Sequence, residues 1–288
     1  MTSLLRVLRT SSVTLTHEFR SDEVLTDADG AVNVTVRRLD STIVAGPTVA
    51  GHPSVGVYTY PLPAPSQLDM LTVDFIGFVA GSSVEIRYHV EVVGDFLFGL
   101  AAARNDLRIP STVSTVDLAS ARVEVETVAE DVSSREGPRI AFVPRFARVI
   151  LNGSGTSGLA LPHALIRSVR SITVNGTVWS VGQLATITPS ESGVLWLSGG
   201  TWPVGRQNIV VEYEHGMSYS PPSVTGAALQ HLRAVLARPR SGVPDRTQSY
   251  TTGDGATYRL TMPTASTTGL PEVDAVYQRF CQELGSPV

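Results

Sequence analysis

The sequence contains no lysine: all 22 of its basic residues are arginine. That absence removes a phosphate-loop lysine, Schiff-base chemistry and any lysine general base. A GC-rich coding genome is sufficient to account for it, and the exclusion of chemistry stands whatever the cause. Cysteine is almost absent as well. Cys281 alone permits no intrachain disulfide and no cysteine metal cluster, and its place in an apolar-periodic segment suits a structural thiol. Charged residues make up only 17% of the chain, against roughly a quarter in ordinary globular domains. Ser, Thr, Val and Gly fill the gap, which suits a β-rich protein or one that hides surface in an assembly. The net charge of −4 offers no electrostatic grip on nucleic acid or anionic membrane. No run approaches the ~18 apolar residues that span a bilayer. The opening MTSLLRVLRTSSVTLTHEF lacks the apolar core and cleavage site of a signal peptide. The expectation is a protein made in a reducing cytoplasm, or released from one by lysis.

Catalytic signatures are scarce. The six histidines (His17, His52, His89, His163, His215 and His231) show no metal-ligand spacing. His163 reads as a turn residue after Pro162, and His231 as a hydrogen-bonded residue at the edge of a core. No G-x-S-x-G elbow is present. One G-x-G-x-x-G string occurs, at Gly153, Gly155 and Gly158. A dinucleotide site needs that string after a strand and at the head of a helix. Here it runs into LALP, which reads as a strand, so the glycines mark a hairpin loop. Glu212 and Glu214 share one face of a strand, and Glu124 and Glu126 lie in a helical segment. Without a cleft to raise a pKa, both pairs read as solvated surface acids. Arginines gather at Arg135, Arg139, Arg145 and Arg148, and again at Arg233, Arg238, Arg240 and Arg246. Interleaved aromatics are missing, so these suit subunit contacts better than nucleic acid. The chain offers no catalytic residue, metal site or cofactor site, and the expectation is that it is not an enzyme.

The 288 residues exceed a typical single domain, and the pattern changes once along them. Residues 1–93 alternate apolar and polar positions in VTLTHEF, AVNVTVRRL, SVGVYTYPL, DMLTVDFIGF and SSVEIRYHVEVV. Gly, Pro and Asp clusters separate these runs, as in a small sandwich of immunoglobulin type. After Gly94 helical spacing takes over, with helices expected at about 96–105, 114–134, 222–238 and 271–284. Residues of about 140–216 interrupt them with short Val-, Ile- and Thr-rich strands and Asn-Gly turns at Asn152-Gly153 and Asn175-Gly176. A polar loop from Ser241 to Thr268 precedes the last helix. The fold expected is α+β multidomain: an Ig-like β-sandwich over 1–93, then a helical connector domain over 94–288 carrying a β-hairpin-rich insertion.

Several blocks in the second part carry a family resemblance. They are AFVPRFARVILNGSGTSGLALPH at 141–163, IRSVRSITVNG at 166–176 and SGVLWLSGGTWPVGRQNIVVEYEHG at 192–216. PDRTQSYTTGDGATYRL at 244–260 and TGLPEVDAVYQRF at 268–280 follow. In this order the blocks resemble the head-to-tail adaptor (connector) proteins of long-tailed phages, especially those infecting actinobacteria. The resemblance covers about residues 94–288 and leaves the Ig-like part as an added decoration. It implies an all-α core with a β-insertion, assembled as a ring, commonly of twelve copies, beneath the portal protein. Such a ring extends the channel through which DNA leaves, without sequence-specific binding, and meets a tail-side stopper protein. It implies a virion location at the head–tail interface, no membrane and no catalysis. Arg246, Tyr250, Tyr258, Arg259 and Leu260, in the polar arm, are the candidate interface residues. The alternative is a carbohydrate- or receptor-binding tail component whose Ig-like domain stacks sugars on aromatics such as Tyr58 and Tyr60, with Trp179 as a further candidate.

Overall fold

The computed structural model describes residues 4–21, 23–106, 109–134, 137–237, 249–251, 257–259 and 267–284. Ten strands fill the first part: β1 (Leu4–Leu8), β2 (Val13–Glu18), β3 (Arg20–Ser21), β4 (Val24–Leu25), β5 (Asn33–Arg38), β6 (Ile43–Val49), β7 (Gly51–Ser54), β8 (Val57–Leu62), β9 (Asp69–Val79) and β10 (Ser82–Val93). One sheet runs β1-β10-β9-β5-β6, a second runs β2-β8-β7, and β3 and β4 form a short ribbon. Alternation in β9 turns Leu71, Val73 and Phe75 inward. They meet Val34, Val36, Val90 and Val92 from their own sheet and Leu15, Tyr58 and Tyr60 from the other. Ala80 and Gly81, both at positive φ, close the β9–β10 hairpin with the backbone that a two-residue type I′ turn requires.

Beyond Val93 come α1 (Leu100–Asn105), α2 (Thr115–Ser133), β11 (Arg145–Gly153), β12 (Gly158–Ala160), β13 (Ile166–Val174), β14 (Thr177–Val178), α3 (Val181–Leu184), β15 (Ile187–Pro189), β16 (Val194–Leu197), β17 (Gly205–His215), α4 (Pro222–Ala237), β18 (Ser249–Thr251), β19 (Thr257–Arg259) and α5 (Pro271–Leu284). The Ser114 hydroxyl accepts the Asp117 N–H and starts α2. Leu118, Val125, Ala129 and Val132 of α2 pack against Val224, Ala228 and Leu232 of α4 and Val273 and Tyr277 of α5. Ile140, Phe142 and Ala164 complete that core.

Strands β11 to β17 form a module with a core of its own. Its sheets run β11-β17-β13-β14 and β12-β16-β15, and between them lie Leu159, Ile172, Leu195, Trp202, Ile209, Val211 and Tyr213. The chain is therefore not a helical connector with a β-insertion: 43% of the described residues are strand and 23% helix. The physical reason is that β11, β13 and β17 run nine to eleven residues and enclose a separate core. They are a principal unit, not an excursion from helices. The helical region also begins later than its spacing suggests. Phe96 and Leu97 precede α1 because both are held by α2, the ring of Phe96 beneath Arg122 and the Leu97 N–H by Glu126. The polar stretch 241–268 contains the β18–β19 hairpin, and the rest of it lies largely outside the described residues.

The two Asn-Gly pairs behave differently. Asn175 and Gly176, both at positive φ, turn β13 into β14. Asn152-Gly153 makes no turn: it ends β11 at an irregularity opposite Gly205. Gly153 is required there, since a Cβ would fall 1.7 Å from the Pro203 carbonyl oxygen. The G-x-G-x-x-G string thus links strands β11 and β12, with no helix behind it.

Candidate functional site

A buried set of charges lies where the sandwich, the helices and the β-module meet. Arg6 of β1 faces Glu91 of β10 in parallel register. Arg6 Nε donates to Glu91 Oε2 at 2.7 Å, and Nη1 donates to Glu126 Oε2 of α2 at 2.9 Å. Arg145, the first residue of β11, donates to Glu130 Oε1 through Nε at 3.1 Å and Nη2 at 2.9 Å. It also lies 3.5 Å from Glu91 and 3.5 Å from Glu126. The second oxygen of Glu126 accepts the Leu97 N–H at 2.9 Å. Arg122, one turn before Glu126, has its guanidinium 3.3 Å from the centre of the Phe96 ring. Three arginines thus face three glutamates.

Electrostatics follow from the burial. Burial works against the charge of Glu91, but the Arg145 and Arg6 guanidiniums overcome it and hold the carboxyl below its ordinary range. At Glu130 burial prevails and lifts the carboxyl. Burial also pulls Arg122 down, offset in part by Glu126. The side chain of Glu126 is 0% exposed and that of Arg145 2%, so solvent and substrate do not reach the centre. This set can hold parts of the molecule together, and it has no opening for chemistry. Sequence reasoning placed Glu126 on the surface and Arg145 in a subunit contact, and both placements are wrong. The missed signal was Arg122, Glu126 and Glu130 at four-residue intervals beside an apolar stripe, plus a lone charge inside LLRVL and another inside VEVV.

A second group sits at the root of the β-module. His163 and His215 stack with ring centres 4.0 Å apart at 21°. His163 Nδ1 lies 2.6 Å from the Tyr213 hydroxyl. His215 is 4% exposed, and its Nδ1 has no hydrogen-bond partner among the described residues. Burial, reinforced by Arg139, lowers His163 to about 4. Burial, His163 and the Arg145 and Arg139 charges push His215 well below the ordinary imidazole range. His163 does lie in the bend between β12 and β13, as the sequence suggests, but its ring is stacked on His215 and the two histidines are not scattered.

Several other arginines form ion pairs within the chain. A cleft of about 220 Å³ between the sandwich and the outer face of β11, β13 and β17 holds Arg38, Asp69, Arg148, Arg170, Ser171 and Glu212. Arg38 pairs with Asp69 at 3.0 Å, and Glu212 accepts from Arg148 at 3.2 Å and from Ser171 at 2.9 Å. Arg170 bonds Glu214 and the Leu68 carbonyl. Glu212 and Glu214 are thus half-buried ion-pair partners, not solvated acids. Arg139 pairs with Asp131, and Arg233 with Asp106. Arg135, Arg238 and Arg240 lie outside the described residues.

Of the candidate interface residues, Tyr250 pairs with Tyr258, and Arg259 with Ser249, across the β18–β19 hairpin. Arg246 and Leu260 lie outside the described residues. Tyr58 and Tyr60 are core residues of the sandwich, so neither presents an open face for a sugar, while the half-buried Trp179 stacks one face on Trp202 at 5.3 Å. Exposed apolar side chains lie elsewhere. Ile43, Val44 and Val49 are on β6, an edge strand, within a stretch (43–55) that has no Asp, Glu or Arg. Val178, Val181, Trp196 and Val204 are exposed on the β-module. Among the described residues no three His, Cys, Asp or Glu side chains group as metal ligands, and no helix is long and apolar enough to cross a membrane. No protein-family model matches the chain, and no curated protein matches it.

Proposed function

We propose that the protein is a structural subunit of a phage virion, forming an adaptor ring between the portal and the tail-side connector, and that it is not an enzyme. The observation that carries this reading is how charge and apolar surface are distributed. The acids and histidines that could serve catalysis (Glu126, Glu130, Glu212, Glu214, His163 and His215) are paired or buried inside the chain. Apolar residues stand outside, on the uncharged sandwich edge and on the β-module. Apolar side chains left exposed along an uncharged strand edge suit a contact with another protein. The order of sequence blocks that resembles head-to-tail adaptors supplies the kind of contact. A net charge of −4 suits a conduit that DNA passes through without being held.

The test is electron microscopy of the pure protein mixed with portal rings from the same virus, together with virion reconstructions. The expected result is a closed ring of this chain, twelve copies by the resemblance, seated below the portal. A protein that stays monomeric and leaves the portal bare would overturn the reading. So would virion density for this chain at the capsid surface or the tail tip.

A further inference from the structure

We propose that His163 and His215 form an acid-sensitive latch between the β-module and the helical core. The pair occupies the crossing between the two. Ile140 and Phe142 belong to the helical core, and three residues later Arg145 opens β11. The crossing is closed by backbone bonds from Arg139 to Pro162 (2.8 Å), Ala164 to Arg139 (2.9 Å), Met217 to Ala141 (3.0 Å) and Gly216 to Leu165 (3.0 Å). His163 lies between the first two, and His215 precedes the last two.

The surroundings tolerate only neutral rings. From the segment before β11 comes Arg139, itself paired with Asp131 of α2. From β11 comes Arg145, which faces His215 in register and is held by Glu91, Glu126 and Glu130. Tyr213 of β17 contributes a hydroxyl. Glu191, in the turn after β15, is exposed, and its backbone carbonyl accepts the Leu165 N–H. Arg167 of β13 is turned to Ser218. The charges that bear on the two rings are thus Arg139, Arg145 and, once protonated, His163 upon His215. All are positive. A proton added to either ring is repelled while the latch is shut and hydrated once it opens.

The sign follows from the lowered imidazole. A group at 6.5 when free and about 4 when docked leaves the closed form fully favoured above 6.5 and progressively weakened as pH falls toward 4. Between pH 7 and pH 5, His163 alone raises the open-to-closed ratio roughly twentyfold.

Hydrogen exchange read by mass spectrometry at pH 7 and pH 5, corrected for the intrinsic pH dependence of exchange, tests this. Peptides covering 139–144 and 213–217 are expected to lose protection about twentyfold, while those from β9 and β10 keep theirs. The double variant His163→Gln, His215→Phe is expected to lose that pH dependence. Should the variant fail to fold, ring-proton NMR of the wild type decides. Both rings should then stay neutral until the crossing amides lose protection, and titrate together with them. Unchanged protection at pH 5, equal loss in β9 and β10, or a folded double variant that retains the loss would each overturn the latch. So would both rings titrating near 6.5 in a closed crossing.

Discussion

Glu124 and Glu126 show how much a single residue's fate depends on its neighbours in space. Two positions apart on a helix, they point to nearly opposite sides. Glu124 is exposed, and Glu126 is fully buried between Arg6, Arg145 and the Leu97 N–H. A buried ion set stabilises only while it is complete, because the member left behind keeps its desolvation cost. Glu126→Ala is therefore expected to destabilise the fold by about 3–5 kcal/mol in urea denaturation. Glu124→Ala, at an exposed position, should cost about 1 kcal/mol or less. Equal effects would show that the buried set is not an energetic centre. The helical spacing of Glu126 beside Val125 and Ala129 was visible in the sequence, but its partners come from residues 6 and 145, which no local pattern links to it.

At the scale of elements, local chemistry was legible wherever a segment contains its own reason. The alternation of DMLTVDFIGF produces β9, and Asn175-Gly176 produces the turn after β13. Ser114 is a further case, since its hydroxyl caps α2 by accepting the Asp117 N–H at 3.0 Å. Ser114→Ala should lower stability by about 1 kcal/mol, read as a shift of the denaturation midpoint at constant slope. No shift would mean that α2 is held by packing alone. Asn152-Gly153 misleads because the same dipeptide meets a different partner. Across from it, Gly205 and the Pro203 carbonyl impose a strand end with an irregular register instead of a turn. The last expected helix, 271–284, forms as α5, while Phe96 and Leu97 are drawn out of the first by contacts with α2.

For the whole molecule, the consequence of the buried charges is coupling. Arg6 belongs to the sandwich, Glu126 and Glu130 to the helices, and Arg145 to the β-module, so breaking the set loosens three parts together. All three tryptophans (Trp179, Trp196 and Trp202) lie in the β-module, which makes fluorescence a report on that part alone. In the wild type, the urea transitions followed by tryptophan fluorescence and by far-ultraviolet circular dichroism should coincide. In Arg6→Ala they should separate, the sandwich and the β-module then melting at different urea concentrations. Coincident transitions in the variant would place the coupling elsewhere.

By itself, the sequence determined the chemistry the protein is denied and the local geometry of its segments. The absence of lysine, the single cysteine and the alternating or helical spacing of apolar residues are properties of the chain alone. Only the tertiary structure decided that strands outweigh helices, that residues 145–215 enclose their own core, and that Arg6, Glu126 and Arg145 share one buried site. The reason is range. Periodicity reports which face of a segment is apolar, whereas burial of a charge or a histidine depends on which distant segment arrives to cover it.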